Sequence, residues 1–206
     1  IEFYAPQARP VIEEAVAQAI AIGQSWDLEL PFIQKDGTEI WVRALGEAEF
    51  EKDKPVRLVG AFQDITARRL AEAALVVSES QFRGSFEAAS HGIALVSVHG
   101  TFLKVNQSLC KLLGYSEAEL LVTDFQTITH PDDLALDLHH IEELLQGVVE
   151  TYEMEKRYFH KGGRTIWAQL NVSLVRAVDE TPVHFVSQIQ DITDRKNLTA
   201  RLQTLL

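Results

Sequence analysis

Pro55-Val56-Arg57-Leu58-Val59-Gly60-Ala61-Phe62-Gln63-Asp64-Ile65-Thr66 recurs 127 positions on as Pro182-Val183-His184-Phe185-Val186-Ser187-Gln188-Ile189-Gln190-Asp191-Ile192-Thr193. Upstream, Gly37-Thr38-Glu39-Ile40-Trp41-Val42 is echoed by Gly163-Arg164-Thr165-Ile166-Trp167-Ala168 at an offset of 126, and one residue inserted in the intervening turn accounts for the change. Internal self-similarity of this kind marks a duplicated structural unit. In the same register Phe3-Tyr4-Ala5-Pro6 falls on Thr129-His130-Pro131-Asp132. The first copy therefore enters at mid-module, and the second is complete from near Glu79.

Each copy ends in alternating strands. Leu28, Leu30 and Phe32 alternate with Asp27, Glu29 and Pro31, the period of two of a strand with one face on a core. Lys35-Asp36-Gly37 closes a hairpin, and the strand over about 38–50 puts Val42, Ala44, Gly46 and Ala48 on one face. After Asp53-Lys54-Pro55 a third strand ends at Asp64. In the second copy the strands fall near 150–160, 164–176 and 182–192, separated by Lys161-Gly162-Gly163 and Asp179-Glu180-Thr181. Two further strands, Gly92 to Ser97 and Thr101 to Asn106, flank the His99-Gly100 turn.

Between them lie helical signals. Asn106 opens a short helix through Leu113, and Ser116 with Glu119 makes a capping-box pattern. A longer helix follows His130-Pro131-Asp132-Asp133, with Leu134, Leu138, Ile141 and Leu145 as its expected buried stripe and Gly147 as its end. The order predicts an α+β fold: a five-stranded antiparallel sheet with helices on one face, present as one complete and one N-terminally incomplete copy joined by a helix.

These residues resemble the PAS fold with its C-terminal PAC half, over 79–196 fully and 3–69 in part. The resemblance rests on Asp64-Ile65-Thr66 and Asp191-Ile192-Thr193, on Gly114-Tyr115-Ser116-Glu117-Ala118-Glu119-Leu120, on His130-Pro131-Asp132-Asp133 and on the Lys-Gly-Gly turn before Trp167. The 92–195 segment, especially Tyr152-Glu153-Met154-Glu155-Lys156-Arg157-Tyr158, is most similar to PAS domains placed before GGDEF or GGDEF-EAL domains in bacterial cyclic-di-GMP signalling proteins; histidine kinases carry similar modules. The implied organisation is a C-terminal part of a first PAS domain (1–66), a helical connector (67–90), a complete second PAS domain (91–193) and the start of an output helix (194–206).

What the resemblance implies is a sensory module that dimerises and relays a signal to a diguanylate cyclase or phosphodiesterase output; the alternative is a small-ligand sensor of a histidine kinase. The relay is expected at the Asp-Ile-Thr motifs. Thr66 and Thr193 can cap the helix that follows, and Asp64 and Asp191 stand four residues before Arg68 and Arg195, so each can pair across the junction. Beyond them, Leu70, Ala74 and Val77, and again Leu198, Leu202 and Leu205, have the four-then-three spacing of a helix that pairs in a parallel homodimer. A single helix packed on its own sheet would read the same way.

The half-open interior of such domains can enclose a ligand. Alternation places Met154, Lys156 and Tyr158 on the inner face with Ala168, Leu170, Val172, Phe185, Ser187 and Ile189. Lys156 departs from the pattern, because Leu30 is its counterpart in the first copy. A buried cation needs a partner, and an anionic ligand, a nearby carboxylate or snorkelling to the sheet edge would each supply one. Flavin chemistry of the LOV type is disfavoured, since Val122-Thr123-Asp124-Phe125-Gln126 stands where that subclass has its reactive cysteine and Cys110 lies on an earlier helix. Haem is disfavoured too: His139 and His140 lie about one helical turn from the family's ligand position, and adjacent helical residues face different ways. Asp132, Asp133, Asp137, His139 and His140 lack metal-ligand spacing and read as a solvated helix start.

Composition narrows the remaining classes. Thirty acidic residues against nineteen basic ones give a formal charge of -11, which repels phosphate backbones and argues against nucleic acid. One cysteine excludes an intrachain disulfide and fits a reducing cytoplasm, and the apolar runs are too short to span a bilayer, although a parent protein could be membrane-anchored. No nucleophile elbow, phosphate loop, GGDEF run or phosphoacceptor histidine motif appears, and Ser90-His91 is a local pair, so a non-catalytic chain is expected.

Overall fold

The computed structural model describes residues 1–204, in two compact units that divide between Ser80 and Gln81. The first contains α1 (Arg9–Ile22), β1 (Trp26–Ile33), β2 (Glu39–Glu51) and β3 (Lys54–Asp64), after which α2 (Thr66–Ala88) begins. Its sheet is an antiparallel meander in the order β1-β2-β3. Gly37 turns the first hairpin at φ +86°, a backbone setting L side chains resist, and Asp36 Oδ1 accepts the Thr38 N–H across that turn. Helix α1, for which the sequence reading gives no expectation, ends at Gly23 (φ +74°) and packs Ile12 beneath the sheet against Tyr4, Leu30, Val42 and Ala44. All eleven residues of β3 are exposed, including Val56, Leu58, Val59 and Phe62.

The second unit holds β4 (Gly92–Ser97), β5 (Phe102–Val105), α3 (Gln107–Leu113), α4 (Glu117–Leu121), α5 (Phe125–Ile128), α6 (Pro131–Leu145), β6 (Thr151–Phe159), β7 (Thr165–Arg176), β8 (Pro182–Asp191) and α7 (Thr193–Thr204). The five strands lie in the order β5-β4-β8-β7-β6, every neighbouring pair antiparallel. One face of this sheet packs on the helices through Leu109, Leu113, Leu120, Phe125 and Leu144. Ser116 and Glu119 form the capping box read from the sequence.

Asn106 does more than open α3. Its side-chain oxygen accepts the N–H groups of Ile93 and Leu109, and its nitrogen donates to the carbonyls of Phe86 and His91. With no exposed surface, it joins the C-terminal end of α2 to β4 and α3 and uses all four of its hydrogen-bonding sites.

Two expectations need correction. Of the stripe expected on α6, Leu134, Ile141 and Leu145 pack against the core, but Leu138 is 41% exposed, and the residues buried outright are Asp137 and Leu144. The helix presents a carboxylate where an apolar residue was expected, and the reason lies on β6. The copies also align one residue differently at their start. Tyr4 bridges Phe32 as Thr129 bridges Tyr158, and Ala5 N–H bonds Pro31 O as His130 N–H bonds Arg157 O, so Tyr4, not Phe3, answers to Thr129.

Candidate functional site

Strand β6 turns Tyr152, Met154, Lys156 and Tyr158 inward, as its alternating burial shows. Lys156, Tyr158, Leu170, Ser187 and Ile189 border a cavity of about 20 Å³, together with Phe125, Asp137 and Tyr152. That is room for about one water molecule. Of the remaining expected residues, Met154 and Ala168 are buried in the same core without bordering the cavity.

The partner of Lys156 is a carboxylate from the helix above. Lys156 Nζ donates to Asp137 Oδ2 at 2.5 Å and to Thr129 Oγ1 at 3.1 Å, and lies 4.4 Å and 5.0 Å from the ring centres of Tyr158 and Phe125. Tyr152 Oη donates to the other carboxylate oxygen, Asp137 Oδ1, at 2.7 Å, and the Thr129 hydroxyl donates a hydrogen bond to the Phe125 carbonyl. Lysine and aspartate are each 1% exposed. Burial opposes the charge on Lys156, yet Tyr158 and Asp137 hold its pKa above the ordinary lysine value. Burial and the Asp137 charge push the Tyr152 phenol up as well, so it remains a donor. The residue after Lys156 fixes the first turn of α6 independently: Arg157 Nε and backbone N–H both donate to Asp133 Oδ2.

The first unit supplies a natural comparison. Counting eight residues on from Tyr4 and from Thr129 brings Ile12 opposite Asp137, and the strand register brings Leu30 opposite Lys156 and Trp26 opposite Tyr152. One copy closes its core with Tyr4, Ile12, Trp26 and Leu30; the other, at the same places, carries Thr129, Asp137, Tyr152 and Lys156. The architecture does not need the polar set.

At the strand-to-helix junctions the expected Asp–Arg pairs are absent. Asp64 Oδ1 and Asp191 Oδ1 instead accept the N–H groups of Thr66 and Thr193, two residues ahead, both at 2.8 Å. The threonines do not cap their helices through the hydroxyl either. Thr66 Oγ1 accepts the Trp41 N–H and Thr193 Oγ1 the Trp167 N–H, which ties the start of α2 to β2 and the start of α7 to β7. Arg68 and Arg195 reach past the aspartates to carboxylates on the neighbouring strand, Glu29 and Glu155.

The second basic residue of each pair joins the same carboxylate, Arg69 on Glu29 and Lys196 on Glu155, and lies over an indole, Trp41 at 4.1 Å and Trp167 at 4.9 Å. Glu29, Glu155, Trp41, Trp167, Arg69 and Lys196 were missed because outward-facing strand residues and basic residues in a helix's first turn read as solvated. Their recurrence at identical register was the available signal. Glu155 and Lys156 are consecutive, so their side chains leave β6 on opposite faces, one toward α7 and one toward α6.

His139 is 63% exposed, while His140 stacks on Tyr152 and meets Glu143 Oε2 at 3.0 Å; neither borders the cavity. Among the described residues no group of three or more His, Cys, Asp or Glu is placed to hold a metal ion. Cys110 lies on α3, half-buried, its thiol pKa pushed up chiefly by burial. No described helix is long and apolar enough to cross a membrane. Leu70 and Val77 on α2 and Leu198 and Leu202 on α7 are exposed; Leu205 lies outside the described residues.

Residues 90–194 match the family described as PAS domain, and residues 1–62 the family described as PAS fold. A probable diguanylate cyclase, DgcE of Escherichia coli (strain K12), is 45% identical over 129 residues, 63% of this chain and 12% of that protein. Sensor histidine kinase TmoS of Ectopseudomonas mendocina is 30% identical over 132 residues, 64% of this chain and 14% of that protein. The chain thus spans a small part of either relative. Among solved structures an RNA-binding light-oxygen-voltage receptor superposes with a TM-score of 0.54 at 12% identity, over 99% of this chain and 88% of its own, a likeness of fold alone.

Proposed function

The chain belongs to the PAS domain family, and from that premise we propose that it is the non-catalytic sensory and relay part of a bacterial, cytoplasmic-facing signalling protein whose output is a diguanylate cyclase or phosphodiesterase. In this reading the second unit receives the signal through α6 and β6 and passes it to α7. The observation that carries it is the duplicated latch: a strand glutamate held by two basic residues at the start of the departing helix. Because Glu155 is back to back with Lys156, a tilt of β6 that follows a change at α6 must also move the first turn of α7 or break its ion pairs. The 30% match to a sensor histidine kinase favours that enzyme as the alternative output.

Amide exchange tests the relay. In the 206-residue chain Glu155→Gln is expected to speed exchange over the first two turns of α7 by several-fold while leaving β7 and β8 protected. Acidification should reproduce the effect. The hydrogen bond from Lys196, together with the Lys196 and Arg195 charges, lowers the Glu155 pKa below 4.5, so the latch is complete above that pH and is lost as pH falls through the lowered folded value. Unchanged exchange in the variant would remove the relay from this contact.

Dimerisation is the second part of the reading, supported by the exposed Leu70, Val76 and Val77 on α2. Sedimentation equilibrium is expected to report a dimer that Leu70→Glu with Val77→Glu converts to monomer; a wild-type monomer at high concentration would reject it.

A further inference from the structure

Two donors converge on the Asp137 carboxylate, Tyr152 Oη at 2.7 Å from Oδ1 and Lys156 Nζ at 2.5 Å from Oδ2, and the Thr129 hydroxyl orients Lys156 by accepting from it. Around them lie apolar walls, Phe125, Ile141, Leu170 and Ile189, and a void beside the carboxylate. A buried ion pair of this sort is at best neutral for stability against packed hydrocarbon, and the first unit builds the same layer with Ile12, Trp26 and Leu30. The donor set therefore calls for a role other than holding the fold.

We propose that Tyr152 and Lys156 form a receptor for a small monocarboxylate, of the size of formate or acetate, which the tethered carboxylate of Asp137 occupies in the resting chain. The inference rests on reading the second unit as the sensing unit. A free carboxylate takes the place of the Asp137 side chain, which frees the volume that the existing void lacks. It enters as the neutral acid, its proton carried in with it. No net charge is carried into the core, which an anion without its proton would require. The ligand bond to Lys156 replaces the link between α6 and β6, on the strand whose other face holds the α7 latch.

This balance gives a pH dependence. Apart from Asp137, the titratable groups facing the site are Tyr152, Lys156 and Tyr158 on β6 and, behind Tyr152, His140 paired with Glu143 on α6; β7 and β8 contribute Leu170, Val172, Phe185, Ser187 and Ile189. Affinity is expected to rise about tenfold for each unit of pH below neutrality, down to the ligand's own pKa, because one proton is taken up per ligand bound.

The test is thermal unfolding of the 206-residue chain in sodium acetate, with sodium chloride of equal ionic strength and acetamide as the uncharged isostere. In Asp137→Ala, acetate at several times its Kd should raise the second-unit melting temperature by about 4 °C or more. Acetamide and chloride should not. A folded Asp137→Ala protein that responds equally to all three overturns the proposal. Where that variant does not fold, the wild type at pH 5.5 is compared with Asp137→Ile/Tyr152→Phe/Lys156→Leu, built on the core of the first unit. Acetate should stabilise only the former, and equal responses overturn the proposal. A null result here combined with altered α7 exchange in Glu155→Gln would reject the carboxylate site and leave the relay standing.

Discussion

Lys156→Leu is expected to cost the second unit about 3–5 kcal/mol, whereas Asp137→Ile/Tyr152→Phe/Lys156→Leu is expected to leave it as stable as the wild type or more stable by about 1–4 kcal/mol. The single substitution leaves a carboxylate 1% exposed with Tyr152 as its remaining donor. Its Coulombic partner is gone, but the desolvation remains. The triple substitution removes both charges together with the phenolic hydroxyl that would lose its acceptor, and Thr129 stays satisfied through the Phe125 carbonyl. Ile12 and Leu30 show that aliphatic side chains of that size fit between helix and strand in this architecture. Urea unfolding followed by near-ultraviolet dichroism, separating the two units' transitions, is the measurement. A single variant as stable as the wild type would mean that the lysine and aspartate are not paired in the folded protein.

Asn106→Ala should be nearly as damaging, at about 3 kcal/mol or more, although no charge is involved. The amide side chain satisfies the N–H groups of Ile93 and Leu109 and the carbonyls of Phe86 and His91. Truncation orphans four backbone groups at a point without solvent. One of them, the Phe86 carbonyl, lies in the last turn of α2, where carbonyls have no partner within the helix. The variant should therefore unfold the second unit at lower urea and speed exchange of the Ile93 and Leu109 amides, whose acceptor is removed. Loss of less than about 1 kcal/mol would show that water replaces the side chain.

The strands, their turns and the duplicated ending were legible because they obey a period of two and recur, and Ser116 with Glu119 was legible because a capping box has a fixed spacing. Asp137 was not. A helix stripe is read from apolar residues, and an aspartate one turn after Asp133 reads as solvated until Lys156 is placed beneath it. The anomaly at Lys156 was visible in the sequence, but which carboxylate answers it depends on the packing of α6 on β6. The junction failed for a related reason. Asp191 and Arg195 have the spacing of a helical pair, but Asp191 precedes the helix and its carboxylate is taken by the nearest free N–H, that of Thr193. Arg195 then finds Glu155, which is near only because β6 and β7 are neighbours in the sheet.

The alternation of Glu155 and Lys156 limits how β6 can move. Sliding the strand by one residue against β7 would bring the glutamate into the hydrocarbon interior and the lysine out into water, severing the Lys156–Asp137 pair and both Glu155 pairs at once. The same holds for Glu29 beside Leu30 in the first unit. Translation in single-residue steps is thereby forbidden to these strands, and any displacement that travels along them has to be a rocking or twisting that keeps the two sides distinct.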